Sequence, residues 1–475
     1  MCLKSGAFFY CLNLLRSDYL ETKITVVDAM MGSGKTSWAI QYMNEHAGSP
    51  FVFITPYLDE IERIKTCTRI PFRSPENHGD GKLADLKILL ARGENVAATH
   101  QLFLNSDNEV DELFQKGEYT LILDEELDVV RSYADALCGS EREDFKMRKD
   151  DILYMQQEHL IEIDGGKTGF VRWGGQYDVC DFKYIRVREF AKRNSLICVD
   201  GTALFWMYPH TVFEAFKEIY VMTYQFEGTC LSSYFRFFDM PIIKMSVARE
   251  GQTYRICPYT VESDKELRKN AAALVDIVEA PNYKELEGHR LSKFSKGWYE
   301  KAKRKDIEGV KKCFETVRRN YLKASTKELM WTVFKEVQQR VKGSGSTWAI
   351  PEYEAKRIAK EGYGITGGEA LERFLRKYQC FVPLNARATN DFADRTKLAY
   401  MCNIYPNPDI QKFFHTKGCG VDGKLYATNM MIQWIWRSAI RNGCPIQIFI
   451  LSVRMKNLLK EWLSVDDHSR GARIE

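Results

Sequence analysis

No two of the thirteen cysteines stand in a CxxC spacing, although they run from Cys2 to Cys444. They are odd in number, scattered singly, and none lies near a histidine pair at zinc spacing. A disulfide framework and a zinc-binding module both need such pairs, so reduced thiols in a cytosolic setting are expected. HExxH is also missing, so a metal other than phosphate-bound Mg²⁺ has no support. No apolar run approaches the length of a membrane span, and no internal repeat or low-complexity tract is visible. The first fifteen residues carry Phe8, Phe9, Leu12, Leu14 and Leu15. Asn13 interrupts them and Arg16 and Asp18 follow, so a short leader over residues 1–21 is expected rather than a signal peptide. Large net charge is absent too. At +4 over 475 residues, any basic surface must come from local clustering.

What is present is an ordinary globular balance, 45% hydrophobic and 28% charged, in a chain long enough for two or three cores. Through residues 22–205, short apolar runs alternate with helical stretches. Ile24–Asp28, Phe51–Thr55, Asn95–Thr99, Tyr119–Leu123 and Ser195–Asp200 read as buried strands of a sheet covered on both faces. Helices are predicted over Thr36–Glu45 and Leu58–Lys65. The result is a βαβ series and hence a doubly wound α/β domain. Residues from about 141 to 190 are polar and Gly-punctuated, as an insertion would be.

Residues 206–258 read as a connecting segment and 259–345 as a basic, mainly helical insertion. Within it, Arg290–Lys327 carries thirteen Lys/Arg against four Asp/Glu, interleaved with Phe294, Trp298, Tyr299, Phe314 and Tyr321. Two readings stay open: a solvated helix pair, or a strand-tracking surface with charges for phosphates and aromatics for bases. Residues 346–475 form a second α/β block, with strands predicted at Gln379–Leu384 and Pro445–Leu451 and a helix over Asn429–Arg441.

Chemistry is densest in Ala29-Met30-Met31-Gly32-Ser33-Gly34-Lys35-Thr36, which follows a strand and opens a helix. That context makes it a P-loop. Gly32 and Gly34 let the backbone aim N–H groups at phosphate oxygens. Lys35 reaches the β- and γ-phosphates, the Thr36 hydroxyl can ligate Mg²⁺, and the helix adds its positive end. A nucleoside triphosphate, ATP foremost, is the expected ligand. Leu121-Ile122-Leu123-Asp124-Glu125-Glu126 then brings carboxylates to the C-terminal edge of the same sheet. Asp124 is placed to hold Mg²⁺ and Glu125 to orient and deprotonate water, while Glu126 has no assigned role.

With these two motifs the chain resembles superfamily-two helicases and translocases of the DExx type, in particular helicase-like proteins encoded by phages and mobile elements. The resemblance implies two RecA-like doubly wound domains with a mainly helical basic insertion and ATP between them. Further matches keep the family's order. Thr55-Pro56-Tyr57 and Thr99-His100 resemble motifs that touch the nucleic-acid backbone. Asp200-Gly201-Thr202 stands where the Ser-Ala-Thr motif couples hydrolysis to strand movement, and Asn390 closes a motif V-like segment, 385–390. Gln433-Trp434-Ile435-Trp436-Arg437 with Arg441 resembles motif VI, whose Gln and Arg side chains reach the triphosphate from the second domain. On one helix, residues 433, 437 and 441 would share a face, about 6 Å apart. Trp436 replaces the family's usual Gly, and Arg441 lies one residue later than the family's second Arg.

The resemblance implies an ATP-dependent enzyme moving along a strand, DNA before RNA, in phage or mobile-element replication. Its partners would be nucleic acid and other replication proteins, with no membrane, in the cytoplasm of a bacterial host. Two other classes remain: a packaging-type motor joined to a nuclease, and a nucleotide-gated switch.

Overall fold

The computed structural model describes residues 22–137, 141–164, 168–174, 181–280, 292–342, 352–377, 380–384 and 390–464. The chain enters through β1 (Lys23–Asp28), then β2 (Phe51–Thr55), β3 (Phe72–Arg73), β4 (Asn95–Thr99) and β5 (Thr120–Asp124). β6 (Val130–Ser132), β7 (Ile161–Ile163), β8 (Val171–Trp173), β9 (Leu196–Val199) and β10 (Ala203–Met207) follow outside that sheet. β11 (Glu218–Thr223), β12 (Ile242–Glu250) and β13 (Thr253–Pro258) then return to it. The eight strands run in the order β13-β12-β1-β11-β5-β2-β4-β3, all parallel except the antiparallel β12–β13 hairpin.

Central strands are fully buried, as a parallel sheet with both faces covered requires. The helix Lys35–Glu45 covers one face with Trp38, Ala39 and Met43. A second parallel sheet, β14 (Val275–Ile277), β15 (Leu329–Thr332), β16 (Lys397–Tyr400) and β17 (Ile446–Ile450), is ordered β14-β17-β16-β15 and forms the other lobe. The architecture is therefore the two-lobed α/β one the resemblance implied.

Several boundaries differ from expectation. Residues 206–258 are no connector, since β11, β12 and β13 complete the first sheet. Residues 259–345 are not simply an insertion, because β14 and β15 belong to the second sheet. The predicted strand 379–384 is reduced to a bridge between Phe381 and Trp331, with Gln379 outside the described residues. The apolar run at Ser195–Asp200 does form a strand, β9, but in a separate antiparallel sheet, β6-β10-β9. The cause is Asp200-Gly201, both at positive φ (51° and 63°), which turns the chain straight back through a three-residue loop, residues 200–202, closed by Thr202 N–H to Val199 O (3.1 Å).

The aromatics of the basic segment are also reassigned. The helix Arg304–Thr316 buries Ile307, Val310, Cys313 and Phe314. Phe294 and Tyr299 lie in the same core, and Trp298 and Tyr321 pack against it. The aromatics are inward and the charges outward, so no stacking row is offered to bases; what remains is a cationic face.

The lobes are joined by close packing. The helix Pro408–Thr416, between β16 and β17, places Ile410, Phe413 and Phe414 in the first lobe's core. Gly228 meets the start of the helix Gly423–Ile435 so closely that a Cβ there would lie 2.7 Å from the Leu425 carbonyl carbon and 2.9 Å from Tyr426 N. Backbone cannot yield as a side chain can. Gly228→Ala should therefore cost about 1–3 kcal/mol, read as a lower melting temperature, whereas Gly48→Ala, where a Cβ meets nothing within 4 Å, should leave it nearly unchanged.

Candidate active site

β1 ends in Asp28, and the chain then turns through Ala29–Gly34 into the helix Lys35–Glu45. The turn is pinned at its start by Ala29 N–H donating to the Thr223 carbonyl of β11 (3.0 Å) and closed by Ser33 N–H to Met30 O (3.2 Å). Gly32 and Gly34 sit at φ 82° and 98°, a region that disfavours any Cβ. The Ser33 hydroxyl is buried without a hydrogen-bond partner, and the space beside Gly32 is open. Unmet polar capacity around an open turn at a helix N-terminus fits a phosphate group.

Asp28 was missed by the sequence reading. It is buried and accepts from the N–H groups of Gln225 (2.8 Å) and Phe226 (3.0 Å), with Lys244 Nζ at 3.1 Å. It ties the strand bearing the P-loop to the chain leaving β11.

Lys35 is buried, its Nζ donating to the carbonyls of Ala29 (2.5 Å) and Met30 (3.2 Å). Burial lowers its pKa, opposed by Glu125, Asp124, Asp28 and Asp264. At the end of β5, Asp124 is pushed up to about 8, first by burial and then by Glu125 and Glu60; Thr55 and Lys35 act the other way. Asp124 and Thr36 are the residues that would hold Mg²⁺, whose charge would favour the carboxylate form. Glu125 adopts φ 68°, a conformation a non-glycine residue holds only when its surroundings impose it. Its N–H donates to Met222 O (2.9 Å), so the same β11 that pins the P-loop also turns this acid. Burial raises the Glu125 pKa, against Lys35, Arg437 and Arg441.

The second lobe closes the site. Gln433 lies in the last turns of the helix Gly423–Ile435. That helix stops at Ile435, so 433, 437 and 441 do not share one helical face as expected. Arg437 follows the cap, and Arg441 lies in a separate 3-10 turn, Ala439–Asn442. All three nevertheless converge. With Lys35, Thr36, Asp124, Glu125, Tyr57 and Trp436 they line one cleft of about 300 Å³. Arg437 is buried, donates to Leu384 O (3.1 Å), and hydrogen-bonds Tyr57 across the lobes. Burial lowers its pKa, while Tyr57 and Glu125 hold it up.

The expected strand contacts fare differently. Thr55 is fully buried and donates to Asp124 Oδ2 (3.1 Å), so it orients the acid and is not available to a strand. Thr99 caps the short helix His100–Leu104, and the His100 ring bonds the Asp124 carbonyl (3.0 Å). Asn390 opens a 3-10 turn, Asn390–Phe392, while 385–389 lie outside the described residues. Thr202 sits in the β9–β10 turn of the antiparallel sheet. It was expected at the end of a fifth strand of the doubly wound sheet; that strand is β9, outside the eight-stranded sheet, and the strand between β1 and β5 is β11. Tyr57 and Tyr254 also line the cleft unforeseen, as do Glu60 and Arg63. Tyr57 stood inside the Thr55-Pro56-Tyr57 run, expected to meet a strand, and lines the cleft.

Glu126, left without a role, caps the helix Cys230–Phe237 through the N–H groups of Cys230 (2.8 Å) and Leu231 (3.4 Å). Burial raises it from its ordinary 4.5 to about 8, with Asp128 adding to the shift. A raised carboxyl holds its proton in the fold but not in the unfolded chain, so this residue lowers stability progressively as pH rises from about 4.5 to 8. Glu126→Gln keeps the accepting oxygen and removes the titration. Its melting temperature should match the wild type near pH 5 and exceed it by a few degrees near pH 8, as thermal unfolding across pH would show.

The chain is similar to several known proteins. Residues 269–463 match the YonV C-terminal Rossmann-like domain and 143–206 the YonV middle domain. Among solved structures, "XPD_APO" is similar at TM-score 0.48 and 14% identity, covering 92% of this chain and 95% of that one. "XPD_Helicase" is similar at 0.47 and 12%, covering 92% and 94%. The SPbeta prophage-derived protein YonV of Bacillus subtilis (strain 168) is 30% identical over 453 residues, 93% of this chain and 98% of its own length. The chain belongs to the YonV family.

Proposed function

We propose that this chain is an ATP-dependent nucleic-acid translocase or helicase, hydrolysing ATP between its lobes and moving along a strand, DNA before RNA. The observation that carries the reading is the single cleft lined by Lys35, Thr36, Asp124 and Glu125 from one lobe and Gln433, Arg437 and Arg441 from the other. A triphosphate on the P-loop is met by backbone N–H groups and by Lys35, which exchanges the loop carbonyls for phosphate oxygens. Thr36 and Asp124 would hold Mg²⁺, which would supply positive charge to the phosphates. Glu125 takes the proton of the attacking water; burial raises its pKa and so its basicity, while Lys35, Arg437 and Arg441 pull the other way. Arg437 stabilises charge on the transferring group.

Support for a strand as partner comes from the excess of Lys and Arg over Asp and Glu in residues 290–327, thirteen against four. The prophage origin of the YonV relative supports a role in phage or mobile-element replication inside a bacterial cell.

Two variants test the cleft. Lys35→Ala should abolish ATP hydrolysis. Arg437→Ala should lower kcat by about 10³-fold while ATP binding changes little, with melting temperature checked because Arg437 is buried. Unchanged turnover in a folded Arg437→Ala would refute the two-lobed site.

A further inference from the structure

The two ends of the cleft can be told apart by sheet order. β1 delivers the P-loop. On one side of it lie β11 and β5, bringing Asp124 and Glu125; on the other lie β12 and β13. A triphosphate whose terminal phosphate faces Lys35, Glu125 and Arg437 therefore extends its nucleoside toward the β12–β13 hairpin. Tyr254 stands there.

Its ring lies directly on the P-loop. A Cβ on Gly34 would be 2.1 Å from Tyr254 Cε1 and 2.6 Å from Cδ1, a second reason, besides φ 98°, that position 34 is glycine. The ring is half-buried and borders the cleft together with Ser37 and Arg63. Arg249, its cross-strand partner, holds its guanidinium 5.8 Å from the ring centre. Tyr254 N–H donates to Gln41 Oε1 (2.9 Å), which fixes the hairpin to the helix that begins at Lys35. The platform and the phosphate loop are thus held as one rigid unit.

We propose that Tyr254 is the stacking platform for the nucleobase, backed by Arg249; this rests on the reading of the cleft as a nucleoside-triphosphate site. An aromatic face accepts any base, so the platform recognises the nucleobase as a class and favours purines for their larger surface.

Titration calorimetry with ATP and with inorganic tripolyphosphate, which lacks a base, tests this on the full chain. Tyr254→Ala should weaken ATP roughly tenfold and leave tripolyphosphate within about twofold, and Tyr254→Phe should restore ATP. An equal loss for both ligands would mean the ring only shapes the P-loop, and would overturn the proposal. So would ATP binding that ignores the substitution. A wild-type chain that binds neither ligand would instead remove the nucleotide reading beneath it.

Discussion

Opposite charges from two separate lobes are buried against one another at one cleft, and most of the fold serves to keep them there. Lys35, Asp124 and Arg437 are each less than a tenth exposed. Taking such groups out of water costs several kcal/mol per ion unless partners compensate. The compensation is arranged by backbone as much as by side chains. Carbonyls of Ala29 and Met30 receive Lys35, carbonyls of Pro383 and Leu384 receive Arg437, and Thr55 steadies Asp124. β11 sits between the P-loop strand and the acid-bearing strand and hydrogen-bonds to the residue that follows each. Its absence would leave both motifs intact in sequence and unrelated in space.

That dependence explains what was legible beforehand. The P-loop and the Asp124–Glu125 pair are local patterns whose chemistry is fixed by contiguous residues, and both were read correctly as belonging to one sheet edge. Gln433 and Arg437 were read as facing the phosphate, but from a continuous helix. The helix ends at Ile435, and a turn brings Arg441 in by another route. Thr202 was expected at a strand end of the main sheet because an apolar run does not reveal which sheet it joins. Leu196–Val199 looks as buried as Glu218–Thr223, and Asp200-Gly201 was the overlooked sign of a hairpin. Strands β14 and β15 have three and four residues, too short for a period to show. β12 escaped for another reason: it is half-exposed and carries Lys244, Arg249 and Glu250 among its apolar residues.

The joint between lobes was invisible in the sequence, since it consists of shape. Gly228 admits the backbone at Leu425 and Tyr426, and the helix Pro408–Thr416 inserts its aromatic residues into the first lobe's core. The helix bearing Gln433 starts at this joint and ends at the cleft, so the contact sets where the second lobe's arginines stand relative to the P-loop. On the first lobe's side, Glu126 caps the helix that follows Gly228, one residue along from the acid at the cleft. Cleft and joint are therefore adjacent in the chain as well as in space.

The claim that unites these features is that hydrolysis in the cleft answers to a strand held across the lobes. The direct measurement is steady-state ATP hydrolysis by the full chain alone and with single-stranded DNA, duplex DNA or RNA added. Severalfold stimulation by a single strand, lost when Lys35 is replaced by alanine, is the expected result. Robust hydrolysis indifferent to every nucleic acid would contradict it.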